Sequence, residues 1–568
     1  MKRKPPPDAI AVGLLALWLL ALFGLVHNPY WVPTGDSEVF LVAARNLANG
    51  DGLTFLGERL AVVPPAWPLA LSVLLSFGAT IAVLKAFQIV VMTGGLLCCY
   101  AVLRRDVDPK PAAFAVGMAA LATPLYPLTF WLHSDALFML IGSAATWLAL
   151  RCDLSTRRGV GLLGVIALLV VAGVAVRWAA MVYVVVVAAA LLSGASSRLR
   201  PLVGGAGLCL LALATYVVLR LALGDEASGG TGVPLANAEV PGLFVRERPD
   251  LSVVGEYLNR LANLPAWFGW TFFVPTRAIG GPAGFALNAV VGGMILGLVL
   301  LAGVRAAGRR SYVYFGAIAY VLTLCAAWPH VNNRYVVPVL PFLMGGVLEG
   351  LRELAHGTRW RAIRRVVAAT LQHAFILAFF VVNGAMFLVD AWVARSPSAL
   401  DFYTRYEAGI HLPLIEAGAE LNQSENQAAR IAVSHRYENL GERWEYPTAR
   451  RELAYIADVN AIVVPKEFTG WGVKKLQQWA RDNGIDFYVH QNPTVPGRFW
   501  HFRLTREEHG RIMGDLPGPH MDAFALYEMR DHAEPGRPPR LWLDPLPLPP
   551  LHGERLERLA RRVPHVQP

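Results

Sequence analysis

"PTGDSEVFLVAARNLANGDGLTF", residues 33–55, follows directly on the first long apolar run of the chain and places Asp36 and Glu38 just outside it. Val39, Phe40, Ala43, Leu47 and Ala48 recur at helical spacing, so the pattern predicts an amphipathic helix from Ser37 to Ala48 lying in a membrane interface and ended by Gly50 and Gly52. The Pro64-Pro65 pair then opens a second interfacial helix running through Phe77. Asp36 or Ser37 suffices to cap the first helix, because one side chain accepts the exposed backbone donors. Capping leaves Glu38 without a purpose.

Working outward, the 568-residue chain is 55% hydrophobic and only 16% charged, the composition of a membrane protein rather than a soluble enzyme. A bilayer core requires about 20 apolar residues per helix. Eleven such stretches are expected, near residues 9–27, 80–103, 111–131, 135–150, 159–175, 178–194, 201–223, 283–303, 311–328, 335–350 and 366–390. Arg177 and Trp178 separate the fifth from the sixth.

Basic residues fix the expected orientation. Lys2, Arg3 and Lys4 precede the first span, and alternate loops carry Arg104, Arg105 and Lys110, then Arg151, Arg157 and Arg158, then Arg198 and Arg200, then Arg305, Arg309 and Arg310, then the run from Arg352 to Arg365. These loops face the cytoplasm, so the amino terminus is expected inside and the carboxyl-terminal region outside. The net charge of +10 is then topology signal, with no need for a nucleic-acid partner. No small-residue cleavage site follows the first run, which reads as an uncleaved anchor. All five cysteines fall in or beside spans, so no disulfide framework is expected in the exterior parts.

This topology gathers polar residues on one side. The first exterior loop, 28–80, holds Asp36 and Glu38; His133 and Asp135 lie between the third and fourth spans; Arg177 lies between the fifth and sixth; His330, Arg334 and Tyr335 lie between the ninth and tenth. Ionisable groups this near the apolar phase mark a ligand path or a paired structural site, and an interfacial arginine also snorkels to lipid headgroups. Carboxylates and arginines around one mouth suit a lipid-anchored phosphate ligand and a hydroxyl that must lose a proton. Arginine gives bidentate donation to phosphate, and a carboxylate accepts the proton.

"GDSEVFLVAARNLANGDGLTF", residues 35–55, followed by "PPAWPLALSVLL", residues 64–75, resembles the first-loop signature of GT-C membrane glycosyltransferases of the protein mannosyltransferase and ArnT-like superfamily. In that signature an acidic motif precedes an A-R-x-L-x-x-G helix and a Pro-Pro segment. "VAVRWAAMVY", residues 174–183, is similar to its arginine turn, and "NNRYVVPVLPFLMGGVLEGL", residues 332–351, to its R-Y-x-x-P-x-x-P span. The resemblance covers roughly residues 1–390 and implies a mainly α polytopic helical bundle of about eleven transmembrane helices carrying a C-terminal extracytoplasmic α/β domain.

It also implies an inverting transfer of a hexosyl or pentosyl unit from a polyprenyl-phosphate donor, on the extracytoplasmic face of the plasma (inner) membrane, to a glycan, lipid or protein acceptor. By the resemblance Asp36 is the catalytic base, with Glu38 and Asp135 as further acidic candidates. Arg177, Arg334, Lys85 and Arg277 are expected on the donor phosphate, and His133, His330, Tyr335 and Trp270 on substrate. Relatives often carry adjacent Asp-Glu, whereas Ser37 intervenes here; the Asp36-x-Glu38 spacing could supply two oxygen ligands to a divalent cation.

The remaining regions are less specific. Residues 224–282 begin with Gly, Pro and small polar residues and regain helical periodicity over 251–273, with Trp267, Trp270 and Phe273 at interfacial spacing; a lid over the donor and a membrane anchor are both consistent with that pattern. Residues 391–545 read as a soluble α/β domain, with strands in "ARIAVSH", "VNAIVVP" and "IDFYVHQ" and a helix in "VKKLQQWARDNG" closed by Gly484. No catalytic motif stands in it, and acceptor binding or stability is its expected role. Its Pro-rich end, leading into the basic tail 546–568, reads as an extended wrap or a mobile tail. A transporter or flippase of lipid-linked sugars, or a scaffold, are the competing functions; neither requires Asp36 as a base.

Overall fold

A computed structural model describes residues 9–32, 36–55, 58–60, 63–194, 199–223, 253–273, 281–327, 333–355, 361–398, 401–402, 405, 431–433, 462–463, 473–491, 524–532 and 540–545. The membrane region is helical. After α1 (Ala9–Val26) come α2 (Asp36–Asn49), a two-residue hairpin of β1 (Thr54–Phe55) and β2 (Glu58–Arg59), and α3 (Ala66–Ser76). Next come α4 (Ile81–Leu103), α5 (Pro109–Leu121), α6 (Asp135–Ala149), α7 (Arg157–Val176), α8 (Ala180–Gly194) and α9 (Leu199–Leu223). The series ends with α10 (Val253–Phe272), α11 (Gly281–Gly308), α12 (Val313–Ala327), α13 (Leu340–Ala355) and α14 (Arg361–Ala394).

Six of these helices are long and apolar enough to cross a membrane, and α1, α6, α8 and α12 are shorter apolar helices. Each of the eleven expected stretches contains a helix. The third differs in extent: α5 stops at Leu121, where the chain turns extended at Ala122 (ψ 135°). Pro124 stands two residues beyond, where it donates no backbone hydrogen bond and its ring disfavours a helical Thr123, so the helix cannot continue through this point. A 3-10 turn, Tyr126–Thr129, follows. The tenth stretch likewise begins as a 3-10 turn, Asn333–Val336, with Pro338 and Pro341 delaying the α-helix to Leu340.

The α2 helix and its glycine stop form as the pattern predicts, with Gly50 (φ 92°) and Gly52 (φ 79°) in the left-handed region that ends the helix. The bundle is layered by hydropathy. Of the span in α13, 89% is buried, against 17% in α9 and 22% in α14, so α13 is the central post and the other two lie on the outside of the bundle.

Glycines let backbones meet. A Cβ on Gly292 of α11 would lie 1.7 Å from the Pro265 carbonyl oxygen of α10, and one on Gly350 of α13 would lie 2.3 Å from the Leu298 oxygen of α11. Asn383 of α14 is the polar staple of this region, donating to the Phe272 carbonyl (3.0 Å) and accepting from the Thr123 backbone N–H (2.9 Å) at the break after α5.

Beyond α14 a five-stranded sheet has the order β4-β3-β5-β6-β7, built from β3 (Ile431–Val433), β4 (Ile462–Val463), β5 (Phe487–Gln491), β6 (Phe524–His532) and β7 (Arg540–Pro545). β3 pairs in parallel with β4 and β5, while β6 runs antiparallel to both β5 and β7. The helix α15 (Val473–Asp482) precedes β5, and Gly484 (φ 59°) closes it. β7 lies where the stretch read as an extended wrap or a mobile tail begins: "RLWLDP" is an edge strand, a position where the flanking prolines cost no ladder hydrogen bond.

Candidate active site

Four chain turns converge at one end of the bundle. Asp36 stands in the first turn of α2 and Asp135 in the first turn of α6, where the helix dipole favours a carboxylate. Arg177 is the extended residue that ends α7 (φ −158°, ψ 131°), and Arg334 and Tyr335 ride the 3-10 turn before α13.

Their side chains interlock. Arg334 Nη2 donates to Asp36 Oδ2 at 2.5 Å and Nη1 to His133 Nδ1 at 3.0 Å. Arg177 Nη1 donates to Asp135 Oδ2 at 2.7 Å and reaches Ser134 Oγ at 3.4 Å. His133 Nδ1 lies 3.9 Å from both Asp36 Oδ2 and Asp135 Oδ2. The Tyr335 ring lies near both guanidinium groups, 5.0 Å from that of Arg177 and 5.4 Å from that of Arg334. Two carboxylates thus face two arginines, and the charges cancel.

Exposure separates the roles. The Asp135 side chain is 0% exposed and that of Arg177 11%, so this pair is internal. Asp36 is 38% exposed and its partner Arg334 19%. Asp36 is therefore the carboxylate of the group that a solvent-side molecule can reach. Burial, then the Arg334 charge, pushes the His133 imidazole down to about 4, although Asp36 and Asp135 pull the other way. The ring is neutral at pH 7.

The supporting contacts come from residues that the sequence pattern does not single out. Gln88 of α4 donates to the carbonyls of Leu128 and of Trp131 (2.5 Å for the latter), and Trp67 Nε1 donates to the Leu132 carbonyl at 3.3 Å. Both side chains are fully buried, and together they hold the segment carrying His133. Tyr320 of α12 donates to the Tyr335 carbonyl at 2.9 Å and holds the 3-10 turn. A buried glutamine in an apolar helix was the available signal for the first of these.

Six of the expected residues, Asp36, His133, Asp135, Arg177, Arg334 and Tyr335, meet here. His133 is buried to 1% and so touches other site residues rather than solvent. Others are placed differently. Lys85 is fully buried and donates to Asn28 Oδ1 (2.8 Å) and to the Tyr30 carbonyl, tying the exit of α1 to α4 instead of presenting a charge to a phosphate. Trp270 packs edge-on against Phe285 of α11, with ring centroids 6.4 Å apart. Arg277 and His330 lie outside the described residues.

The expected Asp36-Glu38 cation pair does not fit the local geometry. Positions two apart on a helix point about 200° away from each other. Glu38 accordingly turns inward, fully buried beside Ser37 Oγ at 3.2 Å, while Asp36 faces Arg334. Among the described residues no group of three or more His, Cys, Asp or Glu side chains is arranged to hold a metal.

No protein-family model and no curated protein matches the sequence. Solved structures do match in shape. An oligosaccharyltransferase, AglB from Archaeoglobus fulgidus, in complex with an inhibitory peptide and a dolichol-phosphate, superposes with a TM-score of 0.52 at 12% identity, over 85% of this chain and 69% of that one. The chain shares the fold of that oligosaccharyltransferase. The A. fulgidus oligosaccharyltransferase in complex with Zn and sulfate gives 0.50 at 12% identity, covering 89% of this chain and 70% of that one. ArnT from Cupriavidus metallidurans bound to undecaprenyl phosphate gives 0.47 at 13% identity, covering 84% and 93%. Within this fold the four turns that meet at Asp36 are contributed by α2, α6, α7 and the 3-10 turn before α13.

Proposed function

We propose that this chain is a multi-pass membrane glycosyltransferase that moves a sugar from a polyprenyl-phosphate donor to an acceptor hydroxyl, with inversion. The observation that carries the reading is the half-exposed Asp36 carboxylate held at 2.5 Å by Arg334. A GT-C fold and the dolichol-phosphate in the complex of the similar AglB support the choice of a lipid-linked phosphate. The lobe 1–390 is the catalytic unit, the residues 391–545 serve acceptor binding or stability, and 546–568 form a tail. The distribution of positive loops supports a site on the extracytoplasmic face of the plasma membrane.

The charges of the pair give the mechanism. Asp36 takes the proton of the acceptor hydroxyl as that oxygen bonds to the anomeric carbon from the face opposite the phosphate. The bond from that carbon to the phosphate oxygen breaks, and its electron pair stays on the phosphate. Asp36 loses one negative charge in the step that gives the departing polyprenyl phosphate one more. Arg334 is released from the carboxylate at the moment the phosphate needs it, and follows the charge. Arg177, fixed by Asp135, adds a second positive field from a poorly solvated position.

The test offers purified protein in nanodiscs a panel of radiolabelled polyprenyl-phosphate sugars, with and without EDTA, beside Asp36→Asn. Release of polyprenyl phosphate by the wild type and its loss in the variant support the reading. Full turnover by the variant removes Asp36 as the base. Failure to bind or consume any donor moves the transporter and scaffold readings ahead.

A further inference from the structure

We propose that His133 is a positioning residue, an imidazole acceptor that clamps one end of the Arg334 guanidinium so that the other end meets the Asp36 carboxylate. The inference rests on the transferase reading above. Its basis is the 3.0 Å contact from Arg334 Nη1 to His133 Nδ1. A guanidinium has only donors, so Nδ1 must offer a lone pair, and the ring is the neutral tautomer with its proton on Nε2. The longer separations, 3.9 Å from Nδ1 to each of Asp36 and Asp135, agree with a nitrogen that carries no proton to share with them.

The ring is held as a fixed post. Its backbone N–H donates to the Trp131 carbonyl at 3.0 Å, and Gln88 and Trp67 anchor the carbonyls of the two residues before it, Trp131 and Leu132. Trp131 and Phe40 pack edge-on against the imidazole, with centroids at 5.7 Å and 6.3 Å. The charged groups facing it are Arg334, Arg177, Asp36 and Asp135, each from a different turn. At 1% exposure His133 is too enclosed to contact a substrate, which corrects the expectation drawn from its place in the sequence.

A fixed acceptor changes what Arg334 can do. When Asp36 takes a proton its hold on Nη2 weakens, while the neutral His133 keeps its hold on Nη1. The guanidinium then pivots about the histidine toward the phosphate instead of swinging into solvent. Without His133 the arginine must be positioned anew in each turnover, a loss in kcat rather than in donor KM.

The experiment compares three substitutions in the donor-consumption assay. His133→Asn places an amide oxygen near the Nδ1 position, His133→Gln places one near Nε2, and His133→Ala supplies none. Losing one hydrogen bond to a charged group predicts a kcat lowered on the order of 30-fold in His133→Ala and in His133→Gln, with donor KM within about threefold. His133→Asn recovers at least about tenfold of that loss, and in an Arg334→Lys background the same substitutions add little. A readout independent of turnover is the imidazole nitrogen spectrum of 15N-histidine protein in nanodiscs, with the His133 signals identified by their absence in His133→Asn. At pH 7 it should show a bare Nδ1 and a protonated Nε2.

If the wild type consumes no donor, the transferase reading fails while the nitrogen spectrum still decides the pairing. A protonated Nδ1 at pH 7, wild-type kcat in His133→Ala, or equal impairment of His133→Asn and His133→Ala each overturns the proposal.

Discussion

Arg334 Nη2 meets Asp36 Oδ2 at 2.5 Å although the two residues stand 298 positions apart in the chain. The contact joins the first turn of α2 to the turn before α13, and it pairs the accessible carboxylate of the site with a cation that a phosphate can claim. Under the proposed mechanism Asp36→Asn removes the base and takes the 2.5 Å carboxylate from Arg334. Loss of general-base catalysis predicts a fall of about 10³-fold in kcat. Affinity for polyprenyl phosphate should hold or tighten, because Arg334 no longer has a competing anion; equilibrium binding measured beside turnover separates the two effects.

His133 gives stability a defined pH dependence. Its folded value of about 4 lies below the model-peptide value of 6.5, so between these values the unfolded chain binds a proton that the folded chain does not. The contribution is therefore complete above pH 6.5 and is lost as pH falls toward 4, amounting to about 3 kcal/mol at full shift. Thermal unfolding in nanodiscs from pH 7 to pH 4 should show the decline, and His133→Asn should flatten it.

Asp135 and Arg177 form the internal pair of the site. Asp135→Asn leaves the Arg177 guanidinium, 11% exposed, without its 2.7 Å carboxylate. Removing one member of such a pair costs about 3 kcal/mol, and removing both costs less than the sum. A double-mutant cycle of Asp135→Asn and Arg177→Met on unfolding temperature measures the coupling; strictly additive effects would count against the pair.

Lys85 serves the scaffold. Lys85→Met orphans Asn28 Oδ1 and the Tyr30 carbonyl, lowering stability by about 1–3 kcal/mol, while the donor KM stays within about twofold. A large rise in donor KM with intact stability would return Lys85 to the phosphate.

Helix contact through glycine is equally specific. Gly292→Val drives a side chain into the Pro265 carbonyl and the Gly269 nitrogen, which would lie 1.7 Å and 2.6 Å from its Cβ, and should part α10 from α11 with a loss of more than about 3 kcal/mol. Its neighbour Gly293 has nothing within 4 Å of the corresponding position, so Gly293→Ala should change unfolding by less than about 0.5 kcal/mol. Yield and unfolding temperature of the two variants give the comparison.

Much of this architecture was legible in the chain because bilayer solvation acts on local composition. Apolar runs of span length must be helical, since no water is present to satisfy their backbone groups, and each expected stretch contains a helix. The α2 helix was legible from its period and its glycine stop. Where prolines stood inside a run, at Pro124 and Pro338, hydropathy ran past the end of the true helix, because lipid preference is blind to backbone geometry. The strands β6 and β7 were missed in a polar, Pro-rich stretch whose pairing depends on a partner across the sheet.

The site divides in the same way. Sequence alone determined which polar groups stand at the turns, since a charge beside an apolar run has few places to go. It could not determine which turns meet, which of two acids two positions apart faces the arginine, or that Lys85 spends its charge on Asn28 and a backbone carbonyl. Those are decided by helix rotation and packing: a 100° step per residue sends Asp36 outward and Glu38 inward, and α13 at the centre of the bundle brings Arg334 to both Asp36 and His133. Local hydropathy fixes a residue's depth, but pairing is a property of two segments, and only the folded bundle supplies the second.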